Sequence, residues 1–140
     1  MAVNIHADTK SVLGVVDFMQ RGGKLAIDRQ ALDKLRDIVG GDEVDLVELV
    51  ESFLEEGPGL IEAITLSQCS ADLLTMRRAA HSLKSNARDM GAIELSALCA
   101  KLEARCAAGE RPGTSDVDAA NLAFTEAVAE LRNLYPVNSR

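Results

Sequence analysis

Tryptophan is absent, and aromatic residues make up only 3% of this 140-residue chain, so no large ring organises its interior. With 47% hydrophobic residues the core must come from Leu, Ile, Val, Ala and Met, a mixture that favours helices packed on helices. Cysteine is scarce as well: Cys69, Cys99 and Cys106 are odd in number and form no CxxC pair. That pattern suits reduced thiols buried in a core better than a disulfide framework. Positive charge is the minority sign, with 15 Lys and Arg against 22 Asp and Glu and a formal net charge of -7. An acidic surface repels nucleic acid and anionic lipid, so neither is an expected partner. No apolar run approaches the ~20 residues of a membrane span, and the first residues carry no signal-like apolar core with a cleavage site. A soluble cytoplasmic protein is the expectation. Nucleotide-cradling glycine loops are missing, as are His-x-x-x-His and Glu-x-x-His pairs, so no cofactor and no metal site are expected on this chain.

What is present is helical periodicity, without internal repeats or low-complexity tracts. The stripe Val12, Val15, Val16 and Met19 ends at Gly22 and Gly23 and predicts a short helix or arm. Asp28 is placed to cap a second short helix, with Leu32, Leu35 and Val39 on one face before Gly40 and Gly41. Asp42 would cap a third segment carrying Leu46, Val50, Phe53 and Leu54. Its pattern resumes at Leu60, Ile61 and Ile64, after a Gly57-Pro58-Gly59 run that predicts a kink or brief break. A fourth segment spans about Ser70 to Asp89. The fifth opens near Gly91 with Leu95, Leu98, Leu102 and Cys106, and Ser115 is the expected cap of a last helix holding Val117, Phe124, Val128, Leu131 and Tyr135. The expected fold is all-α: an antiparallel up-and-down four-helix bundle over 27–135, with one or two additional short N-terminal helices, an extension over 1–26 and a tail over 136–140.

At about 100° per residue, Met76, Ala79, Ala80, Leu83, Ala87 and Met90 fall on one apolar face of the fourth segment. His81 falls on the opposite side, with Arg77, Lys84, Ser85 and Arg88 one or two turns away and Arg78 at the border. From Arg77 to Arg88 there are four basic side chains and no acidic one, in a chain where acid is in excess. Such a patch attracts an anionic surface, favours the neutral nucleophilic ring, and stabilises a phosphoryl group attached to it. A small Ser85 leaves room for another protein to approach the imidazole. On geometry alone a solvated helix face explains the same residues.

The run Ala80-His81-Ser82-Leu83-Lys84-Ser85, followed by Gly91 and then Leu95, Leu98, Cys99, Leu102 and Glu103, resembles the histidine-containing phosphotransfer (HPt) domain pattern. The likeness extends over about 27–134 and takes in the Asp28 to Leu35 segment and the Phe53-Leu54-Glu55-Glu56 run. It implies that His81 is the phosphoacceptor in a phosphorelay, Lys84 its neighbouring cation, Ser85 the small residue that admits the partner, and Gly91 the hairpin turn. The family often has glycine after the lysine, where this chain has Ser85. The resemblance further implies exchange of phosphate with aspartate on response-regulator receiver domains, and contact with a hybrid sensor kinase. Mg would sit on the receiver, and no autokinase activity is expected. Arg77, Arg78 and Arg88 are not required by the family pattern; their part follows from helical geometry. The readings left beside this one are an adaptor that binds a receiver or kinase without transferring phosphate, and a dimeric scaffold. No sustained heptad seam favours the latter, so a monomer is expected.

Overall fold

A computed structural model of the protein describes residues 26–38, 40–41 and 43–135. The expected helix around Val12 to Met19, the Asp42 cap, Val39 and the tail after 135 lie outside the described residues. Those described form five helices and no strand: α1 (Arg29–Ile38), α2 (Glu43–Ser70), α3 (Leu73–Asp89), α4 (Ile93–Ala107) and α5 (Thr114–Leu134). Helices α2 to α5 run up and down, each against its sequence neighbour, and α5 closes back on α2 while α1 lies against α2 and α3. This is the expected bundle. Its core is aliphatic, with Ile64, Met76, Leu83, Leu95, Leu102 and Leu131 fully buried, and one ring pair, Phe53 and Phe124, at 5.9 Å between α2 and α5.

The helix ends follow local chemistry. Asp28 accepts from the Gln30 amide at 2.9 Å and so caps α1. Gly40 and Gly41 both take positive φ beyond its end, a conformation costly for other residues, and Gly41 N–H donates to the Arg36 carbonyl at 2.7 Å. Helix α3 starts at Leu73 rather than Ser70, because Asp72 accepts from the Thr75 amide and hydroxyl at 3.1 and 2.7 Å. Those bonds, the hydroxyl one first, hold the Asp72 carboxyl below its ordinary range. The cap of α5 is Gly113, not Ser115: Asp116 reaches back to accept from the Gly113 amide at 3.0 Å, which fixes the start two residues earlier.

Two further expectations are corrected. Helix α2 runs through Pro58 without a break. Gly57 is buried against α5, where a Cβ would lie 2.6 Å from Phe124 Cε1, so it serves close packing rather than a turn. Phe53, Ile61 and Ile64 on either side share one core, and that burial outweighs the donor lost at proline. Cys69 is exposed, whereas Cys99 and Cys106 are buried as expected. The inward position of that last turn belongs to Ser67, whose hydroxyl bonds back to the Ala63 carbonyl, and Cys69 falls well around the helix from it.

Candidate functional site

The apolar face of α3 is buried as its spacing requires, and this turns the opposite face outward between α2 and α4. His81 stands there with its side chain 61% exposed. On one flank α4 is held in register by the Ser96 hydroxyl, which donates to the Lys84 carbonyl at 3.0 Å, and by buried Leu95, Cys99 and Leu102. That register brings Glu103, 22 residues away in sequence, to the ring: Glu103 Oε2 lies 2.8 Å from His81 Nδ1. The other oxygen, Oε1, is 2.7 Å from Lys84 Nζ.

The carboxylate is therefore clamped between two nitrogens. Its pKa lies below the ordinary value of 4.5, chiefly through the Lys84 hydrogen bond and then the His81 one, with partial burial opposing both. An ionised carboxylate has only acceptor lone pairs, so Nδ1 must be the donor, carrying the proton. Nε2 makes no bond to any described residue and is the ring's available nitrogen. Next to this cluster the Cys99 thiol is pushed up to about 12 by burial and then by the Glu103 charge, which leaves it inert.

On the other flank α2 and α3 leave an open groove of about 650 Å³, lined by His81, Ser82, Ser85, Asn86, Glu56 and Gly59. Leu60 completes the lining, and the small members are Gly59, Ser82 and Ser85. Nothing lies within 4 Å of where a Gly59 Cβ would be, so the groove is space held open rather than space filled.

Of the residues singled out from sequence, the structure gathers His81, Lys84 and Ser85: Lys84 through the shared carboxylate, Ser85 as a wall of the groove. Arg77, Arg78 and Arg88 are exposed on α3. Arg77 lies toward α4, where its charge partly offsets the burial that raises the Cys106 thiol, and Arg78 acts on Asp72 at the helix start. A patch without acid holds only along α3 itself. Across the helix pair Glu103 enters it, so the surround of His81 is charge-compensated rather than purely cationic. In the sequence Glu103 figures only as the end of an apolar stripe. The signal for Glu103 was its place immediately after buried Leu102, on the flank of α4 that must meet α3. Among the described residues no group of three or more His, Cys, Asp or Glu side chains is arranged to hold a metal ion. No described helix is long and apolar enough to cross a membrane.

The family model of the Hpt domain matches residues 48–134, more than half of the chain. No curated protein matches. Among solved structures, the chain resembles the crystal structure of histidine-containing phosphotransfer protein B (HptB) from Pseudomonas aeruginosa PAO1. The TM-score is 0.72 at 20% identity, covering 79% of this chain and 95% of that one. At that identity the likeness shows the fold, and the family match covers α3, α4 and the groove between α2 and α3.

Proposed function

The chain belongs to the Hpt domain family, and from that premise we propose that it carries a phosphoryl group on Nε2 of His81, exchanging it with an aspartate of response-regulator receiver domains in a phosphorelay. The observation that supports this reading is the 2.8 Å bond from Nδ1 to Glu103, which orients the ring and leaves one nitrogen lone pair available. A receiver, seated over the α2–α3 groove, presents its acyl phosphate to that lone pair. Nε2 attacks phosphorus in line, the phosphorus–oxygen bond to aspartate breaks, and the aspartate leaves as carboxylate. Positive charge develops on the ring and is balanced by Glu103, which accepts from Nδ1–H throughout. Lys84, held at the same carboxylate, is the cation beside the incoming phosphoryl oxygens. Transfer outward is the same path reversed. Mg belongs to the receiver's side of the reaction. Arg77, Arg78 and Arg88 supply a general attraction for an acidic receiver face. The protein acts as a monomeric carrier, with a hybrid sensor kinase as a further source of phosphate.

Incubation with a phosphorylated receiver domain tests this. Acid-labile, base-stable label on the wild type and none on His81→Gln is the expected outcome. Binding of receivers without label on the wild type would make the chain an adaptor instead.

A further inference from the structure

The groove beside His81 does not end at Glu56 and Asn86. Both residues also line a second, narrower opening of about 110 Å³ that continues between α1, α2 and α3. Half of its lining is apolar, with Leu35 from α1, Leu49 and Phe53 from α2 and Met90 after α3, and the other half is polar, with Ser52, Glu56, Asn86 and Asp89. The volume holds one bulky side chain and no more. We propose that this slot selects among receiver domains, accepting one apolar side chain of the partner's docking helix beside a lysine or arginine that meets Asp89 and Glu56. The inference rests on the reading of His81 as phosphoacceptor, and adds which partners are served.

Three observations carry it. The slot is continuous with the groove over which the receiver must sit, so a helix laid along α2 and α3 covers both openings. Apolar surface of the lining is left in water: Leu49 is 37% exposed. Asp89 is the last residue of α3, where a negative charge opposes the helix dipole, and among the described residues it has no ion-pair partner. Local stability gives no reason for an acid there, while a basic group arriving on a partner does. The slot is acidic where the face around Arg77, Arg78 and Arg88 is basic, so a docking helix must match two charge zones in order.

The test uses the full chain as wild type, Asp89→Lys and Leu49→Gln, each checked for helicity by circular dichroism. Each is offered phosphate from a panel of purified phosphorylated receiver domains and, separately, from phosphoramidate, which labels histidine without docking. For the receiver that serves the wild type best, Asp89→Lys should lower kcat/KM on the order of ten-fold or more, carried by KM. The ranking should shift toward receivers with an acidic residue at the matching position. Leu49→Gln should weaken the same receiver without reordering by charge. An unchanged ranking in both variants, with all proteins labelled, overturns the slot alone. A concentration-dependent dimer that Leu49→Gln dissolves, with unchanged ranking, assigns the slot to a second copy and overturns the proposal. Absence of label on the wild type from every source overturns the phosphoacceptor reading and the slot with it.

Discussion

On its α4 flank the His81 ring meets a carboxylate fixed by a lysine; on its α2 flank it meets an open groove. The first flank is closed and charge-paired, so it can set the tautomer and orientation of the ring but cannot admit a partner. The second is an open groove, with the Glu56 carboxylate in its lining, and can admit one. One imidazole thus divides two demands that conflict if placed on the same side: preorganisation needs contact, and access needs its absence.

The largest expected break in this division comes from filling the open flank. Ser85→Trp should reduce transfer from a receiver on the order of a hundred-fold or more, since productive reaction needs the reacting atoms within about 3–3.5 Å. The loss should be much larger with a receiver than with phosphoramidate, and parallel labelling time courses measure both.

Opening the closed flank should cost less. Glu103→Ala removes a charge-assisted hydrogen bond, worth roughly 1.5–3 kcal/mol when expressed fully in the reaction, and should slow transfer on the order of ten-fold or more. The same carboxylate marks the acid limb of stability. Its folded pKa lies below the ordinary 4.5, so its contribution is complete above that value and is lost as pH falls through the lower folded value. Urea midpoints measured downward from pH 5 should therefore fall less steeply in Glu103→Gln than in the wild type.

The smallest effect sharpens the contrast between the two glycines of α2. Gly59→Ala meets no atom within 4 Å and should raise stability by about 0.5–1 kcal/mol, whereas Gly57→Ala drives a methyl into the Phe124 ring and should lower it. Thermal midpoints decide the sign. A stabilised Gly59→Ala that transfers more slowly would show that the glycine serves the groove and not the helix.

Much of this architecture is legible along the chain, because it rests on short-range periodicity. Met76, Ala79, Ala80 and Leu83 define the buried face of α3 and thereby the exposed position of His81, with no knowledge of any other helix. What escapes is whatever needs two helices at once. Glu103 meets His81 across 22 residues, and its place after buried Leu102 marks the flank of α4 it occupies but not the side chain it meets there. The Gly57-Pro58-Gly59 run misleads for the same reason: its residues usually punctuate structure, yet the packing of Phe124 on Gly57 is a tertiary fact that keeps the helix whole. Gly91 is a middle case. A hairpin turn at that residue is visible from spacing, but its positive φ also brings its carbonyl to the Asp28 amide at 2.7 Å, so close that a Cβ there would lie 2.6 Å from the Asp28 carbonyl oxygen.

That contact has a bearing on how the molecule can change. The lead-in to α1 is fastened to the turn between α3 and α4 by main-chain atoms, which every residue except proline supplies alike. Among the side chains of α1, Arg29 and Arg36 add ties to Glu130 and the Tyr135 hydroxyl at 3.9 and 3.3 Å, while the outward Lys34, Asp37 and Ile38 take no part in the fastening. Their identity can therefore be rewritten while the helix keeps its seat, so that a lineage could alter its surface vocabulary at α1 without renegotiating the scaffold beneath.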